Sequence, residues 1–238
     1  DRAVAKGRLT NDARDSTMDR LIATGDIDDV ADADIVIEAV FEDLAVKTDL
    51  WRDLDRRAPT PAIFATNTSS ISIGRLASAV ATERRTRFVG MHFFSPVPVM
   101  PLVELIRSPD TSAETVTTIR ALSDELGKRV IESADRPGFI VNRILMPFLA
   151  ESMRALEQGV GTAEDIDAGA RIGLNHPMGP LELADFIGLD VCLNVMKVLE
   201  EGIGEEHYPP PKILVDLVEA GHLGQKTGRG FHTYPRGQ

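Results

Sequence analysis

Four short apolar runs decide what this chain can become: "DIVIEAV" (34–40), "AIFAT" (62–66), "RFVGMHF" (87–93) and "PLVELI" (101–106). "DIVIEAV" and "AIFAT" are β-branched or apolar with almost no polar alternation, the pattern of strands buried on both faces. Helical segments separate the runs. "EDLAVKTDLWRDLDRRA" sets Leu44, Leu50, Trp51 and Leu54 at helical spacing. "NTSS" (67–70) leads into a predicted helix over 71–80, with Ser70 as its cap. "SAETVTTIRALSDELG" is an amphipathic helix closed by Gly127, and "RVIES" (129–133) is a fifth strand. Residues 1–24, with Val4, Leu9, Met18, Leu21 and Ile22, also read as helix. Strands alternating with helices make this an α/β fold with a largely parallel sheet.

After "DRPG" (135–138) the pattern becomes helical throughout. "FIVNRILMPFLAESMRALEQG" is one long helix with a kink expected at Pro147. Thr162 and Asp165 form a capping-box pattern, and Pro180 occupies a first helical turn. "LDVCLNVMKVLEEG" and "PPKILVDLVEAG" follow, and "GHLGQKTGRGFHTY" ends in a glycine-rich turn with an aromatic anchor. The expected units are a sheet domain over 1–135 and an all-α domain over 136–238.

The 37 acidic and 26 basic residues give a net charge of −11, which argues against nucleic acid or an anionic membrane as a partner. An anionic substrate then requires a local basic patch. The lone cysteine, Cys192, excludes an internal disulfide and fits a reducing compartment, here taken as the cytoplasm. No apolar run reaches the roughly 18 residues of a spanning helix.

Open α/β sheets bind ligands beyond the carboxyl ends of their strands. Glu42, "NTSS" and His92 stand at such ends. A lone histidine is more often a satisfied core residue, but "GMHFFSPVPVMPLVEL" (90–105) places His92 and Glu104 on either side of a proline-stiffened turn. A carboxylate on one imidazole nitrogen fixes the tautomer and leaves the other nitrogen as a base. Asn67 and Ser69 are expected to be free for a ligand, while Lys47 alone reads equally well as an exposed helix lysine. Asn142 opens the second domain and can face the cleft. His176, His207, His222 and His232 read as surface residues without a role.

Six ordered stretches, "IVIEAVFEDLAVK", "ATNTSSI", "GMHFFSPVPVMPLVEL", "RPGFIVNRIL", "HPMGPLELADFIGLD" and "GQKTGRGF", resemble the 3-hydroxyacyl-CoA dehydrogenases, particularly the short-chain 3-hydroxybutyryl-CoA type. The resemblance runs from about Ala3 to Tyr234. It implies a Rossmann-like NAD-binding domain before a helical substrate and dimerisation domain. It also implies oxidation of a short-chain L-3-hydroxyacyl-CoA to the 3-ketoacyl-CoA with NAD. By matching position, His92 is the base, Glu104 its partner, and Ser69 and Asn142 hold the substrate oxygen. Glu42, Lys47, Asn67, Ser95 and Lys226 fall at the cofactor, and Lys6 in the stretch 6–8 meets the CoA phosphates. Ser95 departs from the asparagine usual in the family, and two extra residues lie between Ser69 and His92, assigned to "SAVATERRT".

Related dehydrogenases for 3-hydroxyadipyl-CoA or sugar acids share such a scaffold, and a dimeric remnant without activity is the non-enzymatic rival. A homodimer is expected through helices 181–200 and 210–221. No G-x-G-x-x-G is present, Gly7 and Gly25 being isolated, so on the order of 40 to 60 residues of a dinucleotide-binding unit are expected to precede Asp1. The chain as given is expected to fold around the helical domain, to bind NAD weakly or not at all, to be inactive, and to have an exposed sheet edge.

Overall fold

In the computed structural model, residues 2–204 and 209–235 are described. Two short helices come first, α1 (Arg2–Ala5) and α2 (Asn11–Met18), then a 3-10 turn at Ile27–Asp32. The sheet follows as β1 (Ile35–Glu38), α3 (Leu44–Arg57), β2 (Ile63–Thr66), α4 (Ile73–Ala77), β3 (Phe88–Phe93), β4 (Leu102–Arg107), α5 (Ala113–Glu125) and β5 (Arg129–Ala134). Spatial order equals chain order, with β3 and β4 antiparallel and every other pairing parallel.

Each central strand feeds two cores. Phe64, Phe88 and Ile106 point toward α3 and α4, where Trp51 lies 4.9 Å from both phenylalanine rings. Ile63, Ala65, Val89, Met91, Val103 and Leu105 face α5 through Val116 and Ile119. Burial on both faces is thus realised in β2, β3 and most of β4. It fails at β1, which has a single neighbour and leaves Ile37 exposed, with Val40 and Phe41 exposed just beyond it. The expected helix over 1–24 is also corrected. Gly7 breaks it with φ +65°, Thr10 starts α2, and Leu21 and Ile22 are exposed, so no apolar partner sustains a third turn. Ser72, not Ser70, caps α4.

The helical unit comprises α6 (Val141–Glu157), α7 (Ala163–Ala168), α8 (Pro180–Ile187), α9 (Leu189–Ile203) and α10 (Lys212–Glu219). Met146, Leu149, Met153, Leu181, Leu189, Leu199 and Leu214 form its core. The sole thiol, Cys192, is fully enclosed there, and burial pushes its pKa up to about 12. The joint with the sheet is tied at Asp135, whose carboxylate accepts from Ser72 Oγ (2.8 Å) and from the amides of Ile73 (3.0 Å) and Gly74 (2.8 Å). The chain then reverses through Gly138 (φ +76°) and Phe139 (φ +51°).

A second polar tie closes the C-terminal turn. Asp185, 1% exposed, accepts from the amides of Phe231 (3.0 Å) and His232 (2.9 Å) and from the Tyr234 hydroxyl (3.1 Å). Burial raises its pKa, and those donors offset only part of the rise. Asp167 takes the first amides of α8, at Leu181 (2.8 Å) and Glu182 (3.1 Å), and sits 2.7 Å from Nε2 of His232. His232, read as a surface residue, is therefore a half-buried clasp. His176 is likewise partly covered, its ring 5.2 Å from that of Phe148, and His222 is half-buried; His207 lies outside the described residues. The clasp explains two glycines of "GQKTGRG". A Cβ on Gly230 would occupy the Asp185 carboxylate, and one on Gly224, at φ +89°, would occupy the Asp185 carbonyl. Gly224→Ala should cost about 3 kcal/mol from combined backbone strain and overlap, lowering the thermal midpoint by several degrees. Calorimetry showing an unchanged midpoint would mean the turn relaxes freely.

Candidate active site

His92 and Glu104 are register partners on the antiparallel pair β3–β4, which puts their side chains on one face of the sheet. Nδ1 of His92 lies 2.9 Å from Oε2 of Glu104, and both residues are buried. The turn between them is clamped by Lys128, whose Nζ donates to the carbonyls of Val97 (2.5 Å) and Met100 (2.8 Å). Oε1 of Glu104 accepts the amides of Ile140 and Val141, each at 3.0 Å, at the start of α6. A carboxylate holding two backbone N–H groups at a helix N-terminus is an ionised acceptor. It therefore takes the Nδ1–H of His92 and leaves Nε2 with its lone pair. Phe94 flanks the imidazole at 4.6 Å between ring centroids.

The "NTSS" loop is anchored at three points. Asn67 Oδ1 accepts from the amide of Phe93 (2.8 Å), next to His92, so the oxygen of its side chain is spent within the loop. Asn142 Nδ2 donates to the carbonyl of Ser69 (3.0 Å), joining α6 to the loop. Glu42 Oε1 collects the hydroxyls of Thr68 (2.6 Å), Ser69 (3.2 Å) and Ser70 (3.1 Å) and the amides of Ser69 (2.8 Å) and Ser70 (3.0 Å). The Ser69 hydroxyl makes the longest of these bonds. Burial pushes the Glu42 carboxyl up, but the Thr68 hydroxyl, the Lys47 ammonium and the Ser69 and Ser70 donors together hold it below its ordinary 4.5.

Lys47 is not the exposed helix lysine that one sequence reading allowed. It is 0% exposed, with Nζ 2.6 Å from Glu38 Oε1, 3.3 Å from Glu42 Oε2 and 3.3 Å from the carbonyl of Val40. Nζ donates to Glu38 and to the Val40 carbonyl and is ion-paired with Glu42, which is the more exposed of the two carboxylates. Glu38 was missed by sequence reading; its signal was an acid at the carboxyl end of an otherwise apolar strand.

The other candidates lie apart from this cluster. Ser95 is exposed on the proline turn, and Lys6 is exposed after α1. Lys226 pairs with Asp190 near the start of α9; burial pushes the Asp190 carboxyl up, but the Lys226 ammonium and the backbone amides of Val191 and Asp190 together hold it below its ordinary value. Glu42, Asn67 and Ser95 follow β1, β2 and β3 at the carboxyl ends, where dinucleotides bind open sheets. Polar groups at these strand ends suit a dinucleotide. A glycine-rich turn for its pyrophosphate is not among the described residues, where no cluster of metal-ligating side chains occurs either.

The profile of the 3-hydroxyacyl-CoA dehydrogenase NAD binding domain matches residues 1–136, and that of the C-terminal domain residues 138–234. The chain is 49% identical over 233 residues to a 3-hydroxybutyryl-CoA dehydrogenase of Bradyrhizobium diazoefficiens, covering 98% of this chain and 79% of that protein. It is 45% identical over 207 residues to the mitochondrial hydroxyacyl-coenzyme A dehydrogenase of Homo sapiens, covering 86% and 65%. The crystal structure of the (S)-3-hydroxybutyryl-CoA dehydrogenase of Ralstonia eutropha matches with a TM-score of 0.95 at 44% identity, covering 99% and 82%.

The lowered pKa of Glu42 has a direct stability consequence. A carboxyl whose folded pKa is depressed contributes stability that is fully present above its ordinary 4.5 and lost as pH falls through the folded value. Glu42→Gln should therefore melt below the parent near neutral pH, with the gap closing in acid. Thermal midpoints from about pH 3 to 7 measure it, and a gap independent of pH would contradict the assignment.

Proposed function

The chain belongs to the 3-hydroxyacyl-CoA dehydrogenase family, and from that premise we propose that it oxidises the 3-hydroxy group of short-chain L-3-hydroxyacyl-CoA, above all 3-hydroxybutyryl-CoA, to a ketone with NAD. The observation that carries this reading is the His92–Glu104 pair, a buried base with one nitrogen held and one free. NAD, when bound, supplies the hydride acceptor at the hydroxyl-bearing carbon.

The chain's own residues supply proton handling and geometry. His92 Nε2 takes the hydroxyl proton, and Glu104, fixed on its far side by α6, stabilises the imidazolium. Ser69 and Asn142, already joined through the Ser69 carbonyl, hold the oxygen as it becomes a carbonyl. Glu42, Asn67 and Ser95 border the cofactor, Lys47 acts behind Glu42, and Lys226 and Lys6 serve the cofactor and the CoA phosphates. The sheet domain, 1–135, carries the cofactor and the helical domain, 136–238, closes the acyl pocket. A cytoplasmic setting suits the single, enclosed thiol. No helix of the described residues is long and apolar enough to cross a membrane.

A homodimer through the helical domain belongs to the same proposal, on a surface shifted from the one sequence suggested. Leu181, Leu193, Val195 and Leu199 are consumed by the core, and α10 packs its apolar residues inward. Exposed apolar side chains remain at Ile144, Val160, Ile172, Leu174, Phe186 and Val191. Sedimentation at micromolar concentration should give a dimer, and Phe186→Asp should shift it toward monomer. A monomeric parent would end the proposal.

His92→Ala should lower kcat by roughly 100- to 10,000-fold with the fold intact. Rates across hydroxyacyl-CoA chain lengths and 3-hydroxyadipyl-CoA should peak at the four-carbon substrate. Near-parental turnover by His92→Ala removes the base, and a peak elsewhere removes the substrate.

A further inference from the structure

The least explained charges in the molecule are Glu38 and Lys47, whose side chains are both 0% exposed. Such a pair stabilises a fold little more than apolar residues of equal size, so packing alone does not account for it. Glu38 is fully engaged. Oε1 accepts from Lys47 Nζ (2.6 Å) and the Val40 amide (2.8 Å), and Oε2 from the Thr66 hydroxyl (2.7 Å). Lys47 stands between two carboxylates and leans on the nearer, with Glu42 at 3.3 Å. Glu42 in turn spends its other oxygen on the five donors of Thr68, Ser69 and Ser70.

Three charges in a row thus end on the loop that carries Ser69 and receives Asn142. Holding Lys47 back at Glu38 leaves Glu42 aimed at the loop. Without a negative charge at position 38, the enclosed ammonium has one carboxylate left and draws Glu42 toward itself, away from the serines. Asn67 and Asn142 pass any loop shift on to the Phe93 amide beside His92 and to α6.

We propose that Glu38 is a positioning residue for the oxidation, acting through Lys47 and Glu42 on the Thr68–Ser70 loop. The inference rests on the reading of Ser69 and Asn142 as the groups that hold the substrate oxygen. It differs from a scaffold role in one respect: the harm done by losing Glu38 comes from Lys47, so removing Lys47 as well relieves it.

The test is steady-state kinetics on the full-length protein with L-3-hydroxybutyryl-CoA at saturating NAD, so that cofactor affinity does not enter kcat. Glu38→Gln should lower kcat roughly ten- to a hundredfold with KM for the acyl-CoA changed less than about threefold. Glu38→Gln with Lys47→Met should recover most of that loss, because no unpaired buried charge remains. Full kcat in Glu38→Gln, or a double variant as slow as the single, overturns the inference. If Glu38→Gln does not fold, Glu38→Asp decides, because it keeps the charge and shortens its reach to Lys47: a roughly tenfold lower kcat with KM for the acyl-CoA little changed supports the relay, and full kcat overturns it. An inert parent protein sinks the proposed reaction itself. An active parent, an inert His92→Ala and a fully active Glu38→Gln sink only the relay.

Discussion

Glu104 divides its two oxygens between the two halves of the molecule. One holds the imidazole of His92 at the end of β3, and the other takes the first amides of α6. A buried carboxylate without partners costs several kcal/mol, and here three donors and the positive end of a helix offset that cost together. The arrangement makes the orientation of the helical unit and the tautomer of His92 one structural fact. Weakening either contact leaves the same enclosed charge unsatisfied, so neither can be tuned independently.

Around that centre the polar interior is organised as shared carboxylates. Asp135 gathers α4 to the domain joint, Glu42 gathers the serine loop, and Asp167 and Asp185 gather α8 and the C-terminal turn. Each satisfies backbone amides that a helix start or a turn would otherwise leave bare. In a chain of net charge −11, a few of the acids are thus spent on backbone amides while most of the remainder solvates the surface. The apolar cores supply the burial, and these carboxylates decide which elements meet.

The sheet was legible because its signal is local. Unbroken β-branched runs with helical segments between them leave few alternatives to an α/β fold, and the turn from Ser95 to Pro101 translated spacing into the register pair of His92 and Glu104. The first-turn Pro180 was visible for the same reason, being written in adjacent residues. What failed depended on partners far along the chain. The depth of β1 is set by how many neighbours it has, and not by its own composition. His232 became a clasp through Asp167, 65 residues away, and Lys47 vanished from the surface because Glu38 and Glu42 close over it. Ser72 caps α4 because the helix begins at Ile73, while the Ser70 hydroxyl turns to Glu42. A polar residue's role is fixed by competition among acceptors, which spacing does not record.

Cys192 offers a use that has nothing to do with catalysis. Its sulfur sits in the middle of the helical core with a pKa of about 12, so at neutral pH almost none of it is thiolate and none is reachable. A thiol reagent in solution can then modify the protein only when α9 parts from its neighbours. The rate of labelling is a clock for transient opening of the helical unit, carried by the native sequence.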